Sequence, residues 1–159
     1  MRGGRAVDRD AREGTAAPPL TIHDYRRLSE FRYLIRRFLA FSERAAARAG
    51  LTSRQHQALL AIKGAREGAV PTIGYLAERL HIQHHSAVEL ADRLVEAGLA
   101  ARAHDTGDRR RVRLALTEAA ERHLAALSAE HVGELRRMRP ALLALLDGDG
   151  DREGPAPES

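Results

Sequence analysis

The 159-residue chain contains no cysteine and no tryptophan, and only three tyrosines and three phenylalanines. Without cysteine, disulfide bonds, thiolate metal sites and cysteine redox sensing are excluded. The chain also lacks any run of about 18 apolar residues, so it predicts no transmembrane helix and no membrane partner. Its first residues are charged and lack the apolar segment of a signal peptide, and we therefore expect a cytoplasmic protein.

Lysine is also scarce: of the 26 Lys and Arg residues, Lys63 is the single lysine and all the others are arginine. The formal net charge is +4 and the pI is about 10.3. The length is that of one domain with room for a core. Arginine is well suited to bind phosphate with two parallel hydrogen bonds and to enter a minor groove, although GC-rich coding produces the same skew.

Both ends of the chain have the composition of disordered segments. Residues 1–20 mix Arg, Asp, Gly, Ala and Pro without periodicity, and residues 148–159 are acidic and rich in Gly and Pro. We therefore predict a disordered arm over 1–20, one folded domain over 21–147 and a disordered acidic tail over 148–159.

Two long helices with apolar stripes are predicted to flank this domain. Over residues 23–49, apolar side chains recur at spacings of three and four, at Leu28, Phe31, Ile35 and Phe38. A second helix opens after Thr117, and Pro140 should break or kink it before a short apolar helix over 141–146. The stripe of that second helix comprises Leu124, Leu127, His131, Leu135 and Met138.

The first helix carries most of the aromatic residues, namely Tyr25, Phe31, Tyr33, Phe38 and Phe41. Aromatic residues at helical spacing most often belong to a core. Because the rest of the chain offers little aromatic surface to pack against, a subunit interface is the second interpretation. A small lobe between the two long helices cannot bury both stripes, and a two-fold dimer with interlocked ends is therefore predicted.

Residues 51–117 between the long helices have the pattern of three short helices and a β-hairpin. The first short helix begins with a capping box from Thr52 to Gln55. After a minimal strand at residues 70–71, Thr72 caps the second, and a turn over 81–83 leads to a third helix over 84–97 that Gly98 ends. The residues of this third helix predicted to face inward are Val88, Ala91, Leu94 and Val95.

A hairpin with a basic tip follows the third short helix. Leu99–Ala103 is predicted as its first strand, and Val112, Leu114 and Leu116 alternate with mostly basic residues in the second. The residues at 105–108 have turn chemistry. A helix that fits the major groove, followed by a basic hairpin, indicates binding to duplex DNA.

Gly98-Leu99, Arg102 and the run GDRRRVRLALT over Gly107–Thr117 resemble the winged-helix core of the MarR family of transcription regulators. The resemblance implies a mainly α fold with a small β-hairpin wing: a winged helix-turn-helix with N- and C-terminal dimerisation helices. Residues 21–50 and 118–147 would be the dimerisation helices and 51–117 the DNA-binding lobe. In this family an Asp and the Arg two residues later brace the wing. The corresponding residues here are Asp108 and Arg110.

The resemblance also implies that the helix over 84–97 reads DNA with its first residues. Val88 and Glu89 depart from the family's commoner pattern, which has Ser or Thr and then a basic residue. Glu89 can accept from cytosine N4 but repels phosphate, and Arg93 can bind phosphate or pair with Glu89 at i,i+4. The expected DNA-binding residues are Thr72, His84, His85, Ser86, Glu89, Arg93, Arg109, Arg110 and Arg111.

A crevice between the first helix, the helix over 51–67 and the helix after Thr117 is predicted to hold a small aromatic or anionic effector. The polar and aromatic candidates on those segments are Tyr25, Arg32, Arg36, His56 and His123. Arginine there would suit an anionic phenolic ligand, which the family often binds. Placement of these arginines on the surface is equally compatible with the sequence.

Metal binding and catalysis are the remaining possibilities. His81, His84 and His85 have the spacing of ligands on one helix face, but no acid lies within the run and a DNA-facing helix is an unusual sensor. We therefore predict no metal and no cofactor. No third group orients a histidine beside Ser86 into a triad, and no Gly-rich phosphate loop is present, so we predict no enzyme activity.

The predicted function is that of a sequence-specific, double-stranded DNA-binding transcription regulator. The resemblance further implies a ligand-responsive repressor that acts as a homodimer on a pseudo-palindromic operator. The alternative is a winged-helix protein-interaction or architectural module without a specific operator. Salt-sensitive binding to a pseudo-palindromic duplex would distinguish the two.

Overall fold

A computed structural model describes residues 19–104 and 112–146 of the chain. It confirms a mainly α fold with one small hairpin. The elements in chain order are α1 (Ile22–Arg48), α2 (Ser53–Lys63), α3 (Ile73–Leu80), α4 (His84–Glu96), β1 (Ala100–His104), β2 (Val112–Leu116) and α5 (Glu118–Leu146). The predicted disordered arm, apart from its last two residues, and the predicted acidic tail lie outside the described residues.

Side-chain caps set the beginnings of the first three helices. At α2, the Thr52 hydroxyl accepts from the Gln55 N–H, and the Gln55 side chain accepts from the Thr52 N–H. Thr72 accepts from the Tyr75 N–H at the start of α3. Both predicted caps are confirmed, and α1 begins with a further capping box at Thr21. Each cap stabilises its helix by about 1 kcal/mol.

One hydrophobic core joins α2, α3, α4 and the hairpin to the end of α1 and the first half of α5, with Leu59, Leu76 and Leu94 fully buried. The inward face of α4 consists of Ala87, Leu90, Ala91 and Leu94. Ala91 and Leu94 were predicted correctly. Val88 is only half-buried and Val95 is 37% exposed, so their predicted inward placement is wrong. At 3.6 residues per turn the stripe centres between positions 87 and 94, which leaves 88 and 95 at its edge.

The hairpin is attached to the lobe by its second strand. The strands β1 and β2 pair antiparallel, from Ala100 opposite Leu116 to His104 opposite Val112. Leu114 is buried, and its N–H donates to the Pro71 carbonyl at 2.7 Å. The predicted minimal strand at residues 70–71 is therefore wrong as an element, because the connector supplies this hydrogen bond without forming a strand.

Gly98 is the point where α4, β1 and α5 meet. Its φ of +66° is left-handed, which favours glycine. This conformation lets the Leu99 N–H donate to the Leu94 carbonyl at 2.8 Å, which closes the end of α4. The Thr117 hydroxyl donates to the Gly98 carbonyl at 2.8 Å and accepts from the Ala120 N–H, and thereby caps α5.

The helix α5 runs for 29 residues with Pro140 inside it, so of the predicted alternatives the break is wrong, as is the separate helix over 141–146, and the kink stays a prediction. Proline removes one N–H, and the carbonyl that loses this donor belongs to the exposed Arg136. Leu135, predicted in the buried stripe, is 47% exposed. Glu134 is buried instead, and its carboxylate accepts from Arg137 Nε at 2.8 Å.

The exposed large apolar side chains concentrate on α1 and α5. Along α1 the predicted stripe faces solvent in the single chain, with Leu28, Phe31 and Ile35 between 41% and 55% exposed. Burial of that stripe in the chain's own core is therefore wrong, and an apolar face is left uncovered. No helix in the described ranges combines the length and apolarity needed to cross a membrane.

Candidate nucleic-acid interface

A three-residue turn fixes α4 against α3. His81 follows the last residue of α3 with a left-handed φ of +50°, and the Ile82 N–H donates to the Ala77 carbonyl at 3.0 Å. A left-handed residue reverses the chain within one turn, at a modest cost for histidine. The turn and the shared core therefore hold α4 in one orientation on the lobe.

The face of α4 opposite the core is polar and open. His85, Glu89 and Arg93 are exposed and Ser86 is half-buried, while His84 is exposed at the helix start. The N-cap Gln83 makes no side-chain capping hydrogen bond. First-turn N–H groups that lack a side-chain acceptor attract anions. The predicted residues of α4 thus lie together on a surface that suits a nucleic acid.

The ion pair considered between Glu89 and Arg93 is present but long. Arg93 Nη2 lies 3.9 Å from Glu89 Oε2, and the two side chains are 72% and 66% exposed. A solvent-exposed pair at this distance contributes a few tenths of a kcal/mol at most. The Arg93 guanidinium can therefore exchange Glu89 for a phosphate at little cost.

A hollow of about 450 Å³ separates the start of α2 from this face of α4. We call it the α2–α4 hollow; its lining residues are Thr52, Arg54, Gln55, Ser86, Glu89, Leu90 and Arg93. Sequence reasoning missed Arg54, although a basic residue just inside a capped helix start was a usable signal. Arg54 and Arg93 place two guanidinium groups along the border of the hollow, which suits the phosphate backbone of DNA.

The tip of the hairpin, with Asp108, Arg109, Arg110 and Arg111, lies outside the described residues. The predicted roles of these four residues therefore remain predictions. In the middle of β1, Arg102 Nη2 lies 2.6 Å from Asp92 Oδ1 on α4. This half-exposed ion pair contributes no more than about 1 kcal/mol, but it links the hairpin directly to α4.

A second recess, of about 390 Å³, lies where α1, α2 and α5 meet, at the place of the predicted crevice. We call it the α1–α2–α5 cleft. Its apolar lining consists of Phe38, Leu39, Leu60, Val132 and Leu135. Its polar lining consists of Ser42, His56, Gln57, Ser128 and His131. The cleft lies between the two long helices and the lobe, and a molecule bound there would contact both.

Of the five sequence candidates for the effector, only His56 lines this cleft. Tyr25, Arg32 and Arg36 are exposed along α1 and do not belong to the lining. His123 lines a separate hollow between α1 and α5, of about 350 Å³. The sequence did not identify Ser42 as a polar group of the cleft, because it stands within an apolar stripe.

The polar centre of the cleft is a buried histidine pair. His131 Nδ1 donates to the Leu127 carbonyl at 2.7 Å, and Nε2 lies 2.9 Å from the Ser42 hydroxyl. The His56 ring lies 4.6 Å from the His131 ring, centroid to centroid. His56 is 2% exposed, and its Nδ1 has no hydrogen-bond partner. Burial lowers the pKa of His56 below 6.5, and the nearby His131 lowers it further.

Potential metal ligands do not converge in the described part of the chain. Over residues 19–104 and 112–146, no three His, Cys, Asp or Glu side chains are grouped as a metal site. His81 caps α3, whereas His84 and His85 belong to the first turn of α4.

The MarR family model matches residues 49–111, which include α2, α3, α4 and β1. A search of curated proteins gave no match. Among solved structures, the chain is similar to AbsC, a MarR family transcriptional regulator from Streptomyces coelicolor. The two share 23% identity with a TM-score of 0.63, over 80% of this chain and 86% of AbsC.

Two further similar structures contain bound molecules. A mutant of MepR from Staphylococcus aureus, bound to an oligodeoxyribonucleotide, is 19% identical with a TM-score of 0.55 over 79% of this chain and 84% of MepR. CouR from Rhodococcus jostii, bound to p-coumaroyl-CoA, is 24% identical with a TM-score of 0.53 over 70% of this chain and 85% of CouR. The MarR family model thus matches the part of the chain that contains α2, α3, α4 and β1, and the similar solved structures share the winged-helix fold beyond it.

Proposed function

We propose that this protein is a cytoplasmic, sequence-specific regulator that binds double-stranded DNA by placing α4 in the major groove. The polar face of α4, with His85, Ser86, Glu89 and Arg93, is the observation that carries the proposal. The helix has 13 residues, a length of roughly 20 Å, and its buried face holds it on the lobe. Arg54 adds a phosphate contact beside it, and residues 109–111 add the wing contact in the minor groove.

We propose that the active species is a homodimer formed by α1 and α5. The exposed apolar side chains on the two helices support this assembly, among them Leu28, Phe31, Leu143 and Leu146. A two-fold dimer would bury both sets at once and present two copies of α4 to one pseudo-palindromic operator. The oligonucleotide in the MepR structure is consistent with DNA as the partner of this fold.

Dimerisation is tested by light scattering on the full-length protein at micromolar concentration. Two chains per particle are expected. Phe31→Glu should produce monomers, because it places a charge on the apolar face of α1, whereas Arg44→Glu at an exposed polar position should not. A monomeric wild-type protein would contradict the assembly.

We further propose that the protein is a repressor that a small aromatic effector releases from DNA. The α1–α2–α5 cleft supports this, because a molecule bound there contacts the long helices and the lobe together. An effector that favours a different spacing of the two lobes weakens DNA binding by its differential affinity for the two arrangements. The acyl-CoA ligand in the CouR structure supports a ligand-binding role for the fold.

The DNA proposal is tested by selecting duplexes from a random pool with full-length protein and measuring affinities by fluorescence anisotropy. We expect a two-fold symmetric site with half-sites about 10 base pairs apart. Its affinity should exceed that of a scrambled duplex by roughly 10³-fold or more. The logarithm of the binding constant should fall linearly with the logarithm of the salt concentration.

A different outcome would favour the architectural alternative. Binding that depends on salt but not on sequence, with no symmetric motif recovered from the pool, would be that of a non-specific DNA-binding module. Absence of DNA binding at low salt would contradict both and would leave a protein-interaction role.

A further inference from the structure

The α1–α2–α5 cleft has no charged side chain in its described lining. Its polar members are two serines, one glutamine and two histidines, and the remaining five are apolar. Arg32 and Arg36, which the sequence offered as anion-binding groups, are exposed on α1 and lie outside the lining. Within the single chain, the two histidines are therefore the lining residues of the cleft that can become cationic.

Hydrogen bonds occupy both ring nitrogens of His131. Its Nδ1 faces the Leu127 carbonyl, which can only accept, so Nδ1 carries the proton. In the neutral ring Nε2 is then an acceptor, and the Ser42 hydroxyl can donate to it across 2.9 Å. Neither nitrogen is left for a ligand carboxylate.

Burial disfavours the charged form of the second histidine, His56. His56 is buried, and the groups that face it from α5 and α1 are the His131 ring and the neutral lining of α1, not a carboxylate. Burial and the neighbouring ring both lower the pKa of His56. Its Nδ1 is the one buried side-chain polar atom in the described residues without a hydrogen-bond partner.

A carboxylate entering this cleft would lose its hydration without gaining a cationic partner, which is unfavourable. An aromatic body would instead pack against Phe38, Leu39 and Leu60. We propose that the cleft binds an uncharged aromatic molecule of the amide, ester or phenol class, with its polar group at the His56 side. This inference rests on the proposed effector function and assigns the charge of the ligand.

The test compares two probes of nearly equal shape, naphthalene-2-carboxamide and naphthalene-2-carboxylate. A carboxamide can both donate and accept, so it suits either tautomer of His56. Their affinities for the full-length protein are measured by isothermal titration calorimetry at pH 7.5. We expect the carboxamide to bind at least tenfold more tightly. Equal or tighter binding of the carboxylate would overturn the proposal, as would no binding of either probe at millimolar concentration.

The site of binding is tested with Ser128→Trp, which fills the cleft from α5 and should abolish carboxamide binding. Gln57→Trp fills the cleft from α2 and provides the same test if the first variant does not fold. Undiminished binding in the folded variants would place the probe elsewhere and overturn the proposal. A carboxylate affinity that falls in Arg32→Ala or Arg36→Ala would also overturn it, because it would indicate an anion site on α1.

Affinity of the ligand-free protein for its selected duplex is measured in parallel. If the protein binds no DNA, the proposed function fails, and the ratio of the two probe affinities still decides the charge of the ligand. If it binds DNA and prefers the carboxylate, the charge assignment alone is overturned.

Discussion

The orientation of α4 on the lobe predicts very different costs for truncating two adjacent side chains. Leu94 is fully buried in the core beneath the proposed reading face, whereas Val95 is 37% exposed. Leu94→Ala should lower the free energy of unfolding by about 2–5 kcal/mol, because it removes buried contacts and leaves a cavity. Val95→Ala should cost less than about 1 kcal/mol, because the lost contacts are partial and alanine has the higher helix propensity.

Both variants are compared with wild type by urea unfolding and by thermal melting. All three proteins are used at one concentration, because the apparent stability of a homodimer depends on it. For a chain of this size each kcal/mol shifts the Tm by roughly 2–4 °C. Leu94→Ala should therefore melt roughly 4–20 °C below wild type, and Val95→Ala within about 4 °C. Equal losses, or a larger loss for Val95→Ala, would refute the orientation of α4.

Three further predictions concern the cleft and the helix caps. Ser42→Ala should lower the free energy of unfolding in urea by about 1–3 kcal/mol, because it leaves His131 Nε2 buried without its hydrogen-bond partner. The control, Ser128→Ala in the same cleft, should cost less than about 1 kcal/mol. Equal costs for the two variants would contradict the His131–Ser42 hydrogen bond. Burial lowers the pKa of His56 in the folded state below 6.5, so as the pH falls the unfolded chain takes up this proton first. The contribution of His56 to the free energy of unfolding should therefore be fully present above pH 6.5 and be lost as the pH drops below it. Urea unfolding at pH 7.5 and 5.5 should show a smaller loss for His56→Gln, and an unchanged loss would assign the pH dependence to other groups. Thr52→Ala should lower the stability by about 1 kcal/mol through loss of the α2 capping box, and a neutral result in thermal melting would contradict it.

Elements with local determinants were predictable from the sequence. The Thr52 and Thr72 caps and the glycine at 98 depend on residues within a few positions of each other, and the predicted starts and ends follow them. The predicted buried face of α4 was displaced by one position from the observed face, because Val88 and Val95 are as apolar as the residues that are buried. Hydrophobicity alone cannot distinguish the centre of a helical stripe from its edge.

Features that depend on contacts between distant segments were not predictable in the same way. Ser42 and His131 are 89 positions apart, and their hydrogen bond forms only once α1 packs on α5. Arg54 approaches the open polar face of α4 only because α2 packs beside it. Pro140 marks a helix break by its chemistry, yet α5 continues through it, and the carbonyl left without its donor belongs to the exposed Arg136.

The uncovered apolar stripe on α1 was predictable from the sequence only in part. Its periodicity was visible in the sequence, but whether Phe31 and Ile35 face a core or a partner was not. The single chain leaves both more than 40% exposed. An exposed apolar face of this kind marks an interaction surface, which is why dimerisation is proposed from α1 and α5 together.

The central claim, that α4 is the reading helix, is most directly tested with a matched pair of charge reversals. Arg93→Glu lies on the open face of α4, and Arg122→Glu lies on α5, where Arg122 pairs with Glu118 at the surface. Both change the net charge by the same amount, so a general electrostatic effect would weaken DNA binding equally.

The measurement is the affinity of each variant for the selected duplex by fluorescence anisotropy at one salt concentration, with dimer content and Tm recorded as controls. Removing a contact with DNA costs about 1–3 kcal/mol, and reversing its charge should cost at least as much. We therefore expect Arg93→Glu to lose roughly 100-fold in affinity, which corresponds to about 2.8 kcal/mol, and Arg122→Glu to stay within about threefold of wild type. Equal losses in two folded dimers, or wild-type affinity for Arg93→Glu, would contradict the account.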